Sequence, residues 1–199
     1  MSSKWFIGII VALAIAVGIV VAVQPSSAPE EKHGSLASLR TTPAPWPVDN
    51  NNLRDRLLAS NLPVNNVEGS ATHIHQHIDI FIHGQHMDIP ADIGLTQTIT
   101  SPIHVHDTGG IIHVESPEVN AQYTLKQFFN VYGVQLTNSQ LGSYKNDGAN
   151  TLKVYSNGQL VKDPLSLKLT SHEEIAIVYG SDGEKPASIP KDYNFPEGL

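Results

Sequence analysis

Alternating histidines constrain this chain more than any other feature of its sequence. Nine of its ten histidines lie beyond residue 70, and six of these fall in two short runs. The first run is His73-Ile-His75-Gln-His77, and the second begins with His104-Val-His106 and ends with His113-Val-Glu115. Because successive side chains of a β-strand point to opposite faces, residues two apart share a face and can converge on one object. The pattern therefore predicts strands whose histidines bind a metal ion.

The second run contains Gly109-Gly110, a suitable pair for a two-residue hairpin turn. In that register His106 lies opposite His113, and His104 lies opposite Glu115. Directly opposed Cβ atoms are about 4.5–5.5 Å apart, which suits imidazole nitrogens that bind one Zn²⁺ at about 2.0–2.1 Å. A register slip of two residues would keep these side chains on one face, whereas a three-residue loop would move His113 to the other. The alternative is a solvated hairpin whose histidines only form hydrogen bonds.

The first run predicts a strand with one apolar face and one imidazole face. Even positions over residues 74–82 are isoleucine except for Gln76, and odd positions carry the histidines. The even positions are therefore expected in the core. We predict that His75 and His77 are metal ligands. For His73, which lies nearest the preceding loop, metal binding and solvent exposure are both open.

A turn follows the first run at His83-Gly84, a dipeptide that resembles the Asn-Gly turn. Pairing through this turn places Met87 beside Ile80 on the core face. His83 is then a turn residue and His86 a strand-face residue, and neither is a first choice as a metal ligand.

The composition narrows the choice of metal. The chain has no cysteine, so thiolate zinc sites, iron–sulfur clusters and blue-copper centres are excluded. The only methionine beyond the start residue is Met87, and its core assignment argues against a thioether-rich Cu(I) carrier. Imidazole ligands suit zinc, copper, iron and nickel, and we expect Zn²⁺ or Cu²⁺, with non-haem Fe²⁺ third. Glu115 is either a further ligand or a group that orients a ligating imidazole.

An apolar segment near the amino terminus predicts a single transmembrane helix within residues 1–23. Residues 5–23 are nineteen consecutive uncharged residues, almost all apolar, a length that nearly matches the ~30 Å hydrocarbon core at about 1.5 Å per residue. The segment is long for the apolar region of a signal peptide, about 7–15 residues, and no good cleavage site follows. We therefore favour an uncleaved anchor over a removed signal. Lys4 on one side, and Glu30 and Glu31 on the other, favour a body on the extracytoplasmic side of the cell membrane.

Residues 24–52 follow this anchor and predict a tether, because five prolines occur among Ser, Ala, Thr and Asn. The remaining residues, 53–199, fit one domain of common size. The net charge is −7 and the lysines and arginines are scattered, so no basic stripe indicates nucleic-acid binding. The expected partners are the membrane, a membrane protein or a second copy of the chain.

Helical periodicity appears in two short segments. Leucines over residues 53–62 recur at helical spacing, and Pro63 ends that segment. Thr124 and Gln127 form a capping-box pattern, which precedes an apolar stripe spaced i, i+3, i+4, i+7. Gly133 marks the end of this second helix.

The remaining periodic segments predict strands. Asn157-Gly158 marks a hairpin over residues 152–161, and residues 174–179 predict a last strand. The order of elements predicts an α+β domain with a compact, mainly antiparallel sheet, one or two short helices and a β-grasp-like second half.

Three motifs together resemble an uncharacterised family of exported or membrane-anchored archaeal and bacterial proteins. They are His73-x-His-x-His, then His104-x-His-Asp-x-x-Gly-x-Ile-His-Val-Glu-Ser-Pro, then Thr124-Leu-x-Gln-Phe-Phe-x-x-Tyr-Gly. The resemblance covers about residues 72–180 and implies a shared histidine-rich domain. It implies no particular reaction.

Two classes of function fit these observations best. In the first, an anchored domain binds Zn²⁺ or Cu²⁺ for storage, delivery or support of a membrane partner. In the second, His104, His106 and His113 hold Zn²⁺ with an open fourth position for a hydroxide nucleophile, an arrangement similar to the zinc site of α-type carbonic anhydrases. A third alternative is an accessory subunit of a membrane complex with a structural metal. An open coordination position beside a cleft would favour the enzyme, and a closed shell of four ligands would favour binding or a structural metal.

Overall fold

Two of the histidine-bearing strands lie side by side within a seven-stranded sheet in the computed structural model, which describes residues 34–199. Its two short α-helices are Leu53–Ala59 (α1) and Leu125–Tyr132 (α2). Its strands are Thr72–Ile82 (β1), Gln85–Met87 (β2), Ile103–His104 (β3), Ile111–Ser116 (β4), Leu136–Thr137 (β5), Gln140–Leu141 (β6), Tyr144–Lys145 (β7), Thr151–Ser156 (β8), Gln159–Leu160 (β9) and Glu174–Gly180 (β10).

The large sheet has the order β3-β4-β1-β10-β8-β9, with β2 also paired to β1. Only the β1–β10 pair is parallel, and the other strand pairs of this sheet are antiparallel. Strands β5, β6 and β7 form a separate small sheet. The predicted α+β fold with a mainly antiparallel sheet and two short helices is confirmed. The sequence predicts a β-grasp-like second half for strands β8, β9 and β10. These strands belong to the same sheet as the histidine strands, because β10 pairs with β1.

The two faces of β1 divide as its alternation predicts. Ile78, Ile80 and Ile82 are buried in the hydrophobic core, and each such burial stabilises the fold by roughly 1.5–3 kcal/mol. The turn after β1 has the predicted form, since His83 and Gly84 both have positive φ. Met87 pairs with Ile80 across this turn, also as predicted. The histidines of β1 are therefore held on the face opposite the core.

Helix α2 packs its aromatic stripe into that core. Thr124 caps the helix, and the predicted capping box with Gln127 is present. Gly133 ends the helix with a left-handed φ of 76°, a conformation that glycine adopts without steric cost. Phe128 and Phe129 are fully buried, so the helix covers the apolar face of the sheet.

Residues 34–52, which the composition places in a tether, pack on the domain in the structure. Trp46 is buried in the core, and its carbonyl accepts a 2.6 Å hydrogen bond from the hydroxyl of Tyr132. The guanidinium of Arg40 donates a 2.8 Å hydrogen bond to the carbonyl of the same tyrosine. The compact unit that contains the sheet accordingly includes this stretch.

The predicted transmembrane helix and the first part of the predicted tether lie outside the described residues. Over residues 34–199, no helix has the length and apolar character needed to cross a bilayer.

Candidate metal centre

Strand β4 brings the two histidine runs together because it lies between β1 and β3. His113 on β4 is the register partner of His75 on β1 and of His104 on β3. Glu115, the next residue on the same face of β4, is the partner of His73. The two runs therefore meet on the sheet face opposite the core.

The register of the β3–β4 hairpin differs by two residues from the prediction. His104, and not His106, lies opposite His113, so the predicted pairing of His104 with Glu115 is wrong. Strand β3 ends early because the Val105 N–H donates to the carbonyl of Ile93 at 3.1 Å and leaves the hairpin ladder. A slip of two residues keeps the same face toward the metal site, since the side-chain period of a strand is two.

Six side chains meet at this place, and we call them the imidazole cluster. They are His73, His75, His104, His106, His113 and Glu115. They form two groups of possible metal ligands, and in each group the donor atoms lie within 4.8 Å of one another. One group contains His73 and His75, and the other contains His104 and His106. Both groups include His113 and Glu115, so these two residues connect the groups.

Each His-x-His pair has the spacing expected of two ligands on one metal ion. The Nε2 atoms of His73 and His75 are 3.1 Å apart, and those of His104 and His106 are also 3.1 Å apart. Two imidazole nitrogens at about 2.0–2.1 Å from one ion are separated by roughly 2.9–3.4 Å for angles between right-angled and tetrahedral. The strands thus hold both pairs close to a ligating geometry.

The tautomer of His104 leaves one of its nitrogens free for a metal. Its Nδ1 lies 2.8 Å from the carbonyl oxygen of Ser101, and a carbonyl can only accept, so Nδ1 carries the hydrogen. In the neutral ring Nε2 then has a free lone pair, and this atom faces His106. Hydrogen bonds of this kind commonly orient ligating histidines.

Burial keeps the central imidazoles neutral. Desolvation is the main cause that lowers the pKa of His104 to about 4 and that of His113 to about 3. Neighbouring imidazoles, above all His106, lower both pKa values further. Burial also lowers the pKa of His75, with His73 as the next cause. Because a metal binds the neutral imidazole, these histidines are in the ligating form at neutral pH.

The carboxylate of Glu115 lies among these rings. Its Oε1 is 3.2 Å from His73 Nε2 and 3.2 Å from His113 Nδ1. Burial is the main cause that raises the pKa of Glu115, and the nearby carboxylate of Glu68 raises it further. Glu115 can therefore bind a metal directly or accept a hydrogen bond from His113.

Glu68 is a possible site residue that the sequence did not indicate. Its Oε1 lies 3.7 Å from His106 Nε2 and 3.9 Å from His104 Nε2. The residue lies in the loop before β1 and belongs to no alternating pattern, so strand periodicity could not identify it.

The cluster is buried at its centre and open at its edges. His104 is fully buried, whereas the side chains of His73 and His106 are 50% and 41% exposed. Each His-x-His pair thus has one ring that solvent and ions can reach.

His77 lies in a separate group, although it shares the strand face of His75. Its Nδ1 is 2.7 Å from Glu174 Oε2, and its Nε2 is 3.1 Å from the carbonyl oxygen of Gly109. His77, Asp79 and Glu174 form a third set of possible ligands, which we call the His77 group. Burial raises the pKa of Glu174, and the hydrogen bond from His77 opposes that shift.

His83 and His86 lie outside the imidazole cluster, as predicted. His83 Nδ1 is 3.0 Å from Glu184 Oε2, and His86 Nε2 is 2.8 Å from Asp79 Oδ1. His86 thereby touches the His77 group through a carboxylate.

Comparisons with protein-family models, with curated proteins and with solved structures found no match. The class of protein is therefore defined by the fold and the site alone. It is an α+β domain whose sheet carries buried histidine and glutamate clusters able to hold a metal ion.

Proposed function

We propose that this protein binds Zn²⁺ or Cu²⁺ through the imidazole cluster and stores or delivers the ion. The observation that carries the proposal is the pair of four-residue groups, each with its donor atoms within 4.8 Å of one another. Their donors are imidazole nitrogens and one carboxylate, a set that suits zinc and copper. Fe²⁺ is the third choice, because imidazole and carboxylate also bind non-haem iron.

The number of donors favours binding over catalysis. Structural zinc sites are closed by four protein ligands, whereas catalytic zinc keeps an open position beside three. With Glu115 as a ligand, either group can supply four donors to one ion, although the two groups share His113 and Glu115 and hold six side chains between them. The exposed rings of His73 and His106 give an incoming ion a first ligand and give an acceptor access to a bound ion, as delivery requires.

A zinc enzyme is the second candidate, and one contact favours it. Glu115 Oε1 lies within hydrogen-bonding distance of His113 Nδ1, at 3.2 Å. If that hydrogen bond persists when metal is bound, Glu115 orients His113, and the ligands are the imidazoles of His104, His106 and His113 alone. The fourth position is then open to water, whose pKa zinc lowers to about 7. An accessory subunit with a structural metal would instead keep the closed shell and release no ion.

Metal analysis of the full chain, purified in detergent, tests the proposal. The wild type should retain about one or two equivalents of zinc or copper after gel filtration. A variant with His104→Ala and His113→Ala should lose this metal, because both residues are buried ligands in the proposal. His172→Asn is the matched control, since His172 lies outside every proposed ligand group. A folded wild type that binds neither zinc nor copper would contradict the proposal.

X-ray absorption at the metal edge, measured with and without added bromide, separates the two candidate functions. Both functions place three imidazoles and one oxygen around an ion in the group with His104, so the donor count alone does not distinguish them. An ion closed by Glu115 should keep its oxygen in bromide, which supports binding and delivery. An ion with an open position should exchange water for bromide, and this exchange, together with hydration or ester hydrolysis by the zinc form, supports the enzyme.

We also propose that residues 1–23 anchor the protein in the cell membrane with its body on the extracytoplasmic side. The uncharged run over residues 5–23 and the charges that flank it support this orientation. An acceptor of the ion would then be a membrane protein or a second copy of the chain. The full-length protein should fractionate with membranes, and protease added outside should digest its body. A shortened chain recovered free of membranes would instead indicate a cleaved signal.

A further inference from the structure

A second set of ligating side chains lies farther along β1, on the face that carries the imidazole cluster. His77 on β1 is the register partner of Glu174 on β10, and Asp79 follows on the same face of β1. The donor atoms of these three residues lie within 4.8 Å of one another. Two neighbouring parallel strands therefore hold one imidazole and two carboxylates together.

Both ring nitrogens of His77 face oxygen atoms. Nε2 lies 3.1 Å from the carbonyl oxygen of Gly109, and Nδ1 lies 2.7 Å from Oε2 of Glu174. These contacts fix the orientation of the ring. Nδ1 is therefore the nitrogen that an ion shared with the carboxylate of Glu174 would bind.

The buried carboxylate of Glu174 also points to a bound cation, independently of the contacts of His77. The residue is 1% exposed, and its second oxygen, Oε1, has no hydrogen-bond partner among the described residues. A buried carboxylate oxygen without a partner costs free energy. The carboxylate of Asp79, close by in the same group, adds a second negative charge. A metal ion would satisfy Oε1 and balance both carboxylates.

We propose that His77, Asp79 and Glu174 form a second metal site that takes a harder divalent ion than the imidazole cluster, with Mn²⁺ or Fe²⁺ as the expected class. Carboxylates suit manganese, and one histidine with carboxylates also suits iron. His86, whose Nε2 lies 2.8 Å from Asp79 Oδ1, is a possible fourth ligand. The second site holds its ion independently of the imidazole cluster.

The site is covered by the carboxyl-terminal segment. The ring of Tyr193 stacks on His77 with the ring centroids 3.7 Å apart and the planes 6° from parallel. Phe195 packs edge-on against Tyr193. These rings lie over His77 and limit the access of water, which strengthens the attraction between a bound cation and the carboxylates.

Manganese binding to the full chain in detergent tests the second site, with the signal of free Mn²⁺ followed by electron paramagnetic resonance. The first variant carries His104→Ala and His113→Ala, so that the imidazole cluster no longer competes for the ion. Asp79→Asn and Glu174→Gln are then added together. Both changes keep the size of the side chain and remove its charge. Asp163→Asn is the matched control, because Asp163 carries the same charge, is exposed and belongs to none of the ligand groups.

We expect the cluster variant to bind one equivalent of Mn²⁺ and the Asp163→Asn control to bind it equally. The added Asp79→Asn and Glu174→Gln changes should weaken binding by at least about 100-fold, since even groups that only support a ligand are worth about 10–100-fold. If the cluster variant leaves Mn²⁺ free, or if the four-residue variant binds as tightly as the cluster variant, the second site is disproved.

A measurement that needs no change in the His77 group covers the case in which those substitutions prevent folding. In the cluster variant, bound Mn²⁺ should broaden the proton resonances of the Tyr193 ring, which stacks on His77. Unbroadened Tyr193 resonances at a full equivalent of Mn²⁺ would contradict the site. A wild type that binds neither zinc nor copper would disprove the proposed function, but it would leave the Mn²⁺ result for the second site unchanged.

Discussion

The imidazole of His113 meets that of His75 edge-on, with ring centroids 4.5 Å apart. The ring of His106 lies at the same 4.5 Å from His113, with a similar interplanar angle. His113 thus lies between one ring from the first histidine run and one ring from the second. Like Glu115 it belongs to both groups of possible ligands, and among the histidines of these groups it alone is shared by the two halves of the site.

Replacing His113 should therefore weaken both groups, whereas replacing an outer histidine should weaken one. We expect His113→Ala to lower the affinity for every bound zinc or copper equivalent by at least about 100-fold, since groups that merely support a ligand contribute about 10–100-fold. His73→Ala should affect only the group with His75, and His106→Ala only the group with His104. Competition against a chelator of known affinity measures these changes.

His172→Asn is the control for this series, because asparagine tolerates the positive φ of that position, 57°. If His113→Ala lost only one of two equivalents and left the other at full affinity, the two groups would not share this residue.

The site could be predicted from the sequence as far as strand periodicity reaches. The alternation of residues predicted, without knowledge of the fold, that the histidines lie on the strand face opposite the apolar residues. This holds for His73, His75, His104 and His113. The register of the hairpin could not be predicted, because the N–H of Val105 bonds to Ile93, a residue outside the hairpin. His77 shares the predicted face but turns to Glu174 on β10, a partner that only the tertiary pairing reveals.

The fold likewise has parts that local sequence signals predict and parts that depend on contacts between distant segments. Capping and turn signals act within a few residues, so α2 and the His83-Gly84 turn were predictable. The parallel β1–β10 pair joins distant segments, and no local signal marks it. Trp46 packs into the core from a proline-rich stretch, because one large aromatic side chain can secure a segment whose average composition is that of a tether.

The stability of the metal-free protein should depend on pH through His104 and His113. Burial is the main cause that lowers the pKa of these residues to about 4 and about 3, whereas in the unfolded chain they titrate near about 6.5. Between about pH 6.5 and pH 4 the unfolded state binds more protons than the folded state. The stability that these two neutral histidines contribute is therefore complete above about pH 6.5, and it is lost as the pH falls through this window.

Urea unfolding at several pH values measures this dependence, and the variant His104→Gln with His113→Gln isolates it. Glu115 acts in the opposite direction, because its raised pKa makes the folded state hold a proton that the unfolded state releases. Because Glu115 contacts His113, Glu115→Gln is added to both proteins so that this contribution is removed from the comparison. We expect the wild type to show the steeper loss of stability toward acid, and equal slopes would mean that the two histidines are not protected by burial.

Tyr193 should stabilise the protein through its stack on His77. Tyr193→Ala removes the stacked ring, and an aromatic pair contributes about 0.5–1.5 kcal/mol beyond the area it buries. Tyr193→Phe keeps the ring and should remain close to the wild type. Chemical unfolding of the metal-free chain measures both variants, and an equal effect of the two would show that the hydroxyl, and not the stack, stabilises the segment.

The loop before β4 should be sensitive at Gly110 and tolerant at Gly109. Gly110 has a φ of 76°, and a Cβ there would lie 2.9 Å from His77 Nε2 and 2.9 Å from the carbonyl oxygen of Ile78. We expect Gly110→Ala to destabilise the fold by about 1–3 kcal/mol, because a side chain is strained at positive φ. It should also displace the His77 ring and weaken any ion bound beside it.

Gly109→Ala is the matched control for this loop. A Cβ at Gly109 would lie 2.9 Å from Asp107 Oδ1, which is the end of a side chain that can move. Chemical unfolding gives the stability of both variants, and Mn²⁺ titration of each in the background that lacks the imidazole cluster gives the affinity. Because the Gly110 substitution acts on the ring of His77, its loss of affinity should exceed that of Gly109→Ala. Equal affinities, with Gly110→Ala the less stable of the two, would show that the loop supports the fold without positioning His77.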